Sequence, residues 1–224
     1  MRLPGLGGWH EDPLWSYVYP WLVDSGLVGR AAWRAGMGSD LGLLHKAAAE
    51  IGTLPAGSRV LDVPTGSGVA LRGVRPGQGL DVVAADISTT MLDRARATAS
   101  RLGVAEQVTP TVADVGELPF GDGSFDLVVS FTGLHCFPDP HRAIGEMVRV
   151  LAPGGAITGS SLFTDTGARY APLRRAGTRA GILGPMCTSG EARTWLRAAG
   201  CDQVDLSLHG ALGYFRAVRG GDAR

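Results

Sequence analysis

The sequence predicts an α/β fold built on a doubly wound, seven-stranded sheet with a terminal antiparallel hairpin. From about Ser58 onward, short apolar β-branched runs alternate with helix-period segments, the pattern of parallel strands joined by crossover helices. The run Val60-Leu61-Asp62-Val63 breaks into Pro64-Thr65-Gly66-Ser67-Gly68, a tight glycine-rich exit from a strand. The last two strand-like runs are separated only by His209-Gly210-Ala211, a span that joins antiparallel neighbours and is too short for a crossover.

Taken in order, the predicted strands are Arg59–Val63, Asp81–Asp86, Gln107–Val112, Phe125–Ser130 and Gly155–Ser160, followed by the hairpin Gln203–Leu208 and Leu212–Val218. The first five are short and apolar on both faces, as a sheet covered by helices requires. Helices are predicted near Gly68–Val74, Ser88–Leu102 and Pro140–Leu151. The second has Ser88 as N-cap and Gly103 as the residue that ends it. Thr188-Ser189-Gly190-Glu191 has the spacing of a capping box and opens a further helix that Gly200 closes. No internal repeat or low-complexity tract interrupts this series.

Composition narrows the function classes. The 224 residues suit one α/β domain with a full core. Twenty-one Lys and Arg balance 21 Asp and Glu, so no net field draws the chain to nucleic acid or anionic lipid. Cys136, Cys187 and Cys201 are odd in number and widely spaced, which fits reduced thiols and neither a disulfide framework nor a metal site. No apolar run approaches the roughly 20 residues of a membrane span, and the opening MRLPGLGGWHEDP lacks the basic and apolar regions of a signal peptide. The expectation is a cytoplasmic protein with no membrane and no nucleic-acid partner, a monomer or homodimer.

By itself the glycine turn after the first strand serves either a ligand or chain geometry. The motifs downstream decide. VLDVPTGSG comes first, then VVAADIST with Asp86 closing the second strand, then Ala113-Asp114-Val115 after the third, then LPFGDGSFDLVVSFTGLHCFPDPHRAIGEMVRVLAPGGAITGSS. In this order they resemble the class I S-adenosylmethionine-dependent methyltransferases, most nearly the ubiquinone/menaquinone-biosynthesis-like small-molecule group. The resemblance runs from about Gly57 to Val218 and is strongest from Val60 to Leu162. It implies a Rossmann-like domain with S-adenosyl-L-methionine across the carboxyl ends of the first, second and fourth strands. It places Asp62 near the methionine amino group, Asp86 on the two ribose hydroxyls and Asp114 on the adenine amino group. Two adjacent hydroxyls suit a bidentate carboxylate. Ile87 and Met91 would flank the adenine, and Pro64, Thr65, Gly66, Gly68, Ser88, Val115 and Phe131 complete the implied cofactor set.

One position departs from the family pattern. Pro64 stands where a glycine is usual, which removes an N–H donor and fixes φ. A nicotinamide-dependent oxidoreductase is the runner-up that this weakens, because a G-x-G-x-x-G match starting at Gly66 meets Leu71 where glycine or alanine is needed. A protein that keeps the cofactor as a scaffold for non-methylating chemistry is a second alternative, since its cofactor motifs would read the same. Each acid also has a structural alternative: Asp62 and Asp86 as loop or cap carboxylates, Asp114 as a turn residue.

His135 is the catalytic candidate, because it follows the fourth strand at the edge where open α/β sheets bind ligands. Methyl transfer is a displacement that needs alignment, exclusion of water and, for a hydroxyl or acidic carbon nucleophile, loss of a proton. An imidazole of ordinary pKa is suited to take that proton, or the ring only packs. The resemblance further implies an N-terminal helical cap over residues 1–57, a cofactor domain over 58–224 and a lid insertion at about 163–186. The cap holds Trp9, His10, Trp15, Tyr17, Tyr19, Trp21 and Trp33, a ring density that fits an apolar or aromatic small-molecule acceptor or simply docks the cap. Arg175 and Arg179 share one face of the insertion, either facing an anionic substrate group or solvent. The predicted function is therefore methyl transfer to an O, N or C atom of a small molecule.

Overall fold

The computed structural model describes residues 26–221. Its strands are β1 (Arg59–Asp62), β2 (Asp81–Asp86), β3 (Val108–Val112), β4 (Phe125–Phe131), β5 (Leu151–Leu162), β6 (Cys201–His209) and β7 (Leu212–Arg219). They form one sheet in the order β3-β2-β1-β4-β5-β7-β6. The first five run parallel, and β7 lies antiparallel between β5 and β6. The doubly wound sheet and its terminal hairpin are those the sequence predicts. The strand order reverses between β1 and β4, and a crevice opens there at the carboxyl ends.

Alternate residues of the central strands feed two cores. Leu61, Val83, Val128 and Ile157 face α4 (Pro140–Arg149) and α6 (Ser189–Ala198). Val60, Val82, Leu127 and Val129 face α2 (Leu41–Ala48) and α3 (Thr89–Leu102). A sheet covered on both faces demands this near-continuous apolar pattern. Strand β3 departs from it: its residues are half-buried or exposed, and Pro110 sits at its centre. As an edge strand it pairs only with β2 and tolerates a residue without a ladder donor.

The predicted caps are in place, and the structure adds one at Asp139. Ser88 Oγ accepts from Met91 N, and Gly103 ends α3 with φ of 69°. Asp139 accepts from Arg142 N ahead of Pro140, and Thr188 and Glu191 form a reciprocal capping box. The segment Gly68–Val74 is a correction. Instead of an α-helix it holds one 3₁₀ turn, Ala70–Gly73. Gly68 has φ of 81°, and a Cβ there would stand 2.9 Å from Leu71 Cδ1 and 3.3 Å from Ala95 Cα. The backbone is thus pressed onto α3 in a conformation that an α-helix does not use, and no full helix dipole points at the crevice. Strand β5 is longer than predicted, because the pairing slips between Phe125↔Leu151 and Leu127↔Ala156 and absorbs Pro153-Gly154-Gly155.

Helix α1 (Gly26–Met37) is the described part of the N-terminal segment. Trp9, His10, Trp15, Tyr17, Tyr19 and Trp21 lie outside the described residues. The carbonyl of Met37 accepts from Ala211 N at 2.7 Å, so the hairpin turn holds the end of α1. Gly210 makes this approach possible: a Cβ there would lie 2.2 Å from that carbonyl oxygen. Tyr214 on β7 adds a hydroxyl contact to Ser39 at 3.3 Å.

The capping box gives a direct test of the α6 assignment. Thr188→Ala should cost about 1 kcal/mol. Thermal unfolding should then shift down by roughly 2–4 °C for a domain of this size, and an unchanged midpoint would remove the cap from the account.

Candidate active site

A cavity of about 640 Å³ opens at the carboxyl ends of β1, β2 and β4. Asp62, Pro64, Thr65, Gly66, Asp86, Ile87, Met91, Asp114, Val115, Phe131 and His135 all line it. Two residues of the expected set do not. Gly68 packs on α3, as described above, and Ser88 is spent on capping that helix. The lining also includes Trp33 and Met37 from α1, the strand ends Leu162 and Leu212, Leu173 from α5 (Ala171–Arg179), and Ile182 and Leu183 just after it.

Asp86 organises the near half. Its Oδ2 accepts from Gly66 N and its Oδ1 from Ser88 N, both at 2.9 Å. One carboxylate thereby ties the loop after β1 to the loop after β2. Gly66 has φ of 52°, and a Cβ built there meets nothing within 4 Å, so glycine serves the turn rather than a tight fit. Ile87 beside it is 46% exposed, an unusual state for a large apolar side chain and one that leaves its face open to a flat ring.

Asp62 is buried and accepts from Thr65 Oγ1 at 2.6 Å. Burial raises its pKa to about 7; the Thr65 bond opposes that shift and the neighbouring charge of Asp86 adds to it. Asp114 is exposed at the rim and accepts from Gly116 N at 2.8 Å, a local turn bond. Three carboxylates thus line the cavity, and no lysine or arginine does among the described residues. Arg175 and Arg179 are exposed and outside the lining, and Arg174 donates to Thr166. This donor set fits a ligand carrying ammonium, sulfonium and hydroxyl groups and repels a pyrophosphate.

Thr132 follows β4 with φ of 53°, a left-handed conformation that is costly for a β-branched residue. Its N–H donates to the Ser160 carbonyl at 2.8 Å, which holds the chain there. At the next residue a Cβ on Gly133 would stand 2.6 Å from both Pro64 Cδ and Ser130 Oγ. The loop after β4 is therefore pressed against the loop after β1, and this brings His135 into the site. Thr132 and Gly133 lie inside the quoted motif, but their part is conformational: the Thr132 hydroxyl is turned back onto the Phe131 carbonyl, and Gly133 has no side chain.

His135 is 6% exposed. The Leu162 N–H donates to its Nδ1 at 3.1 Å, and Ser161 Oγ lies 3.1 Å from the same nitrogen. A backbone N–H only donates, so Nδ1 must be unprotonated and the ring's proton resides on Nε2. Burial lowers the histidine pKa to about 4. In this geometry the lone pair of Nδ1 is engaged by the Leu162 N–H, which leaves Nε2 as the ring's donor. Cys136 also lines the cavity, with its thiol donating to the Thr132 carbonyl at 3.5 Å.

Residues 61–158 match a family model described as a methyltransferase domain. Over 114 residues the chain is 40% identical to a demethylmenaquinone methyltransferase of Thermus thermophilus, a match covering 50% of this chain and 51% of that protein. It is 36% identical over 108 residues to a 27-O-demethylrifamycin SV methyltransferase of Amycolatopsis mediterranei, covering 47% of this chain and 40% of that one. The chain thus spans about half the length, or less, of these curated relatives. Haemonchus contortus phosphoethanolamine N-methyltransferase 2, solved with S-adenosyl-L-methionine, superposes with a TM-score of 0.70 over 92% of this chain and 56% of its own, at 18% identity. At that identity the likeness shows the fold.

The raised pKa of Asp62 has a measurable consequence in the ligand-free protein. Its folded pKa exceeds its unfolded value, so the contribution it makes to stability is fully present at low pH and is lost as pH rises from the ordinary carboxylate range through about 7. Thermal midpoints of the wild type should therefore fall between about pH 5 and pH 7.5. Asp62→Asn should flatten that fall and raise the midpoint at the upper end of the window. Parallel curves for the two proteins would place the charge of Asp62 in a solvated setting.

Proposed function

We propose that this chain, whose residues 61–158 match a methyltransferase-domain model, is a class I S-adenosylmethionine-dependent methyltransferase and that it methylates a small, largely apolar acceptor. The single observation that carries the reading is the charge of the cavity lining: Asp62, Asp86 and Asp114, with no lysine or arginine beside them among the described residues. Asp86 has the geometry to receive two adjacent ribose hydroxyls, since backbone N–H groups already fix both of its oxygens in place. Asp62 would pair with the methionine ammonium, which favours its ionised form and offsets the cost of its burial. Asp114 at the rim would accept from the adenine amino group, between Ile87 and Met91.

When bound, the cofactor supplies an electrophilic methyl group on a positively charged sulfur. The chain's own contribution is position and desolvation. Phe131, Phe137, Leu162 and Leu183 give the far half of the cavity apolar walls, and Trp33 and Met37 bring α1 over it. Excluding water there strengthens the attraction between a nucleophile and a cationic centre and holds the two reactants together. The named relatives act on a demethylmenaquinone and a demethylrifamycin, which agrees with an acceptor chosen by apolar surface. We assign residues 1–57 and about 163–186 to the cover over this half, on the support of the α1 contacts and of Leu173, Ile182 and Leu183 in the lining. Cys136, Cys187 and Cys201 are not joined in disulfides, which supports a reducing, cytoplasmic setting for the reaction. No helix among the described residues is long and apolar enough to cross a membrane.

Calorimetry tests the reading. S-adenosylhomocysteine should bind in the micromolar range and raise the thermal midpoint, and NAD should do neither. Asp86→Ala should weaken that binding by about 1.5–3 kcal/mol, the usual worth of hydrogen bonds to a charged group. Tight NAD binding with none of S-adenosylhomocysteine would overturn the proposal, and undiminished affinity in the variant would move the ribose site.

A further inference from the structure

Methylating a hydroxyl releases a proton, and among the described residues the apolar part of the cavity offers only the His135 imidazole and the Cys136 thiol as ionisable side chains. Its walls are Phe131, Phe137, Leu162, Ile182 and Leu183, with the imidazole of His135 among them. The backbone N–H of Leu162 fixes the tautomer of that imidazole by donating to Nδ1. Ser161, buried at the end of β5, holds the same edge of the ring. Because Nδ1 is engaged, the proton stands on Nε2, which has no hydrogen-bond partner among the described residues. Nor is Nε2 sealed away from solvent as a buried orphan: it opens on the cavity that the ring lines.

Resting on the methyltransferase reading, we propose that His135 is a fixed hydrogen-bond donor, through Nε2–H, to an oxygen of the acceptor, and that it thereby selects acceptors that arrive as phenolates or enolates. An acceptor ionised in solution has already given its proton to water, so no side chain needs to take one. The acceptor's oxygen forms the new bond to the methyl carbon, the carbon–sulfur electron pair returns to sulfur, and both charges are neutralised. A donated hydrogen bond to an anionic oxygen is stronger than one to a neutral oxygen and places it against the methyl group. The apolar walls then bind the rest of the aromatic or conjugated skeleton. The other tautomer of the same ring would offer a base, and the Leu162 N–H forbids it.

The tautomer is observable directly. A long-range proton–nitrogen correlation spectrum of the wild type at neutral pH should show a pyridine-like Nδ1 and a pyrrole-like Nε2 for the resonance that disappears in His135→Gln. Binding is measured by calorimetry with 4-nitrophenolate on the complex with sinefungin, the cofactor analogue whose ammonium keeps a positive charge in place of the sulfonium, at a pH where the phenol is ionised. The wild type should bind it about tenfold tighter than His135→Leu does, and tighter than it binds the neutral isostere 4-nitrotoluene. His135→Gln, which keeps an N–H donor, should lie within about threefold of the wild type. A protonated Nδ1, no detectable phenolate binding, or equal affinity in the leucine variant overturns the inference. Failure of S-adenosylhomocysteine itself to bind sinks the methyltransferase reading instead, and the tautomer spectrum then still reports on His135.

Discussion

The site depends on one carboxylate that is used twice. Asp86 takes the N–H of Gly66 on one oxygen and of Ser88 on the other, and so sets the distance between the loops leaving β1 and β2. Those strand exits carry Asp62, Thr65 and Ile87, whose positions follow from that tie. The carboxylate also ends β2 two residues before the N-cap of α3, so the strand, the helix and the loop share one anchor. A ribose diol arriving at such a group meets acceptors that are already oriented, and binding orders little that folding has not ordered.

The second constraint acts by close approach. Gly133 lets the loop after β4 rest on Pro64, Gly68 lets the loop after β1 rest on α3, and Gly210 lets the hairpin turn rest on the end of α1. Each contact joins segments far apart in sequence, and a methyl group would meet the Met37 carbonyl at 2.2 Å on Gly210, the Pro64 ring at 2.6 Å on Gly133 and the Ala95 Cα of α3 at 3.3 Å on Gly68. Together they converge the exits of β1 and β4 with α1 and the hairpin on one cavity. Thr132, in its left-handed conformation, shows that the β4 exit is held by its surroundings and not by its own preference.

These differences explain which parts were legible in the sequence. The sheet was legible because burial on both faces forces continuous apolar strands, and the hairpin because three residues admit one geometry. The caps Ser88 and Thr188 follow local hydrogen-bonding rules that need no tertiary information. Gly68–Val74 misled because its helical periodicity is overruled by contact with α3, and the β5 extension was hidden by Pro153 and two glycines. In the site, the three acids were legible from their places at strand ends. The role of His135 was not, because it is decided by a backbone N–H 27 residues away. A histidine in a motif shows where an imidazole stands; only its partner shows which nitrogen holds the proton.

The same logic joins the two halves of the cavity. A cationic cofactor beside buried Asp62 and Asp86 is stabilised by charge, and the low-dielectric surroundings that raise the pKa of Asp62 also sharpen that attraction. Those surroundings disfavour any further unpaired charge in the far half, a protonated imidazole included, and the pKa of His135 falls to about 4 accordingly. The anionic acceptor proposed above would be the exception, because it would enter against a positive sulfur and leave with its charge cancelled. A cavity with acids at one end, apolar walls at the other and a neutral N–H donor beside them is thus electrostatically consistent with a reaction that joins opposite charges.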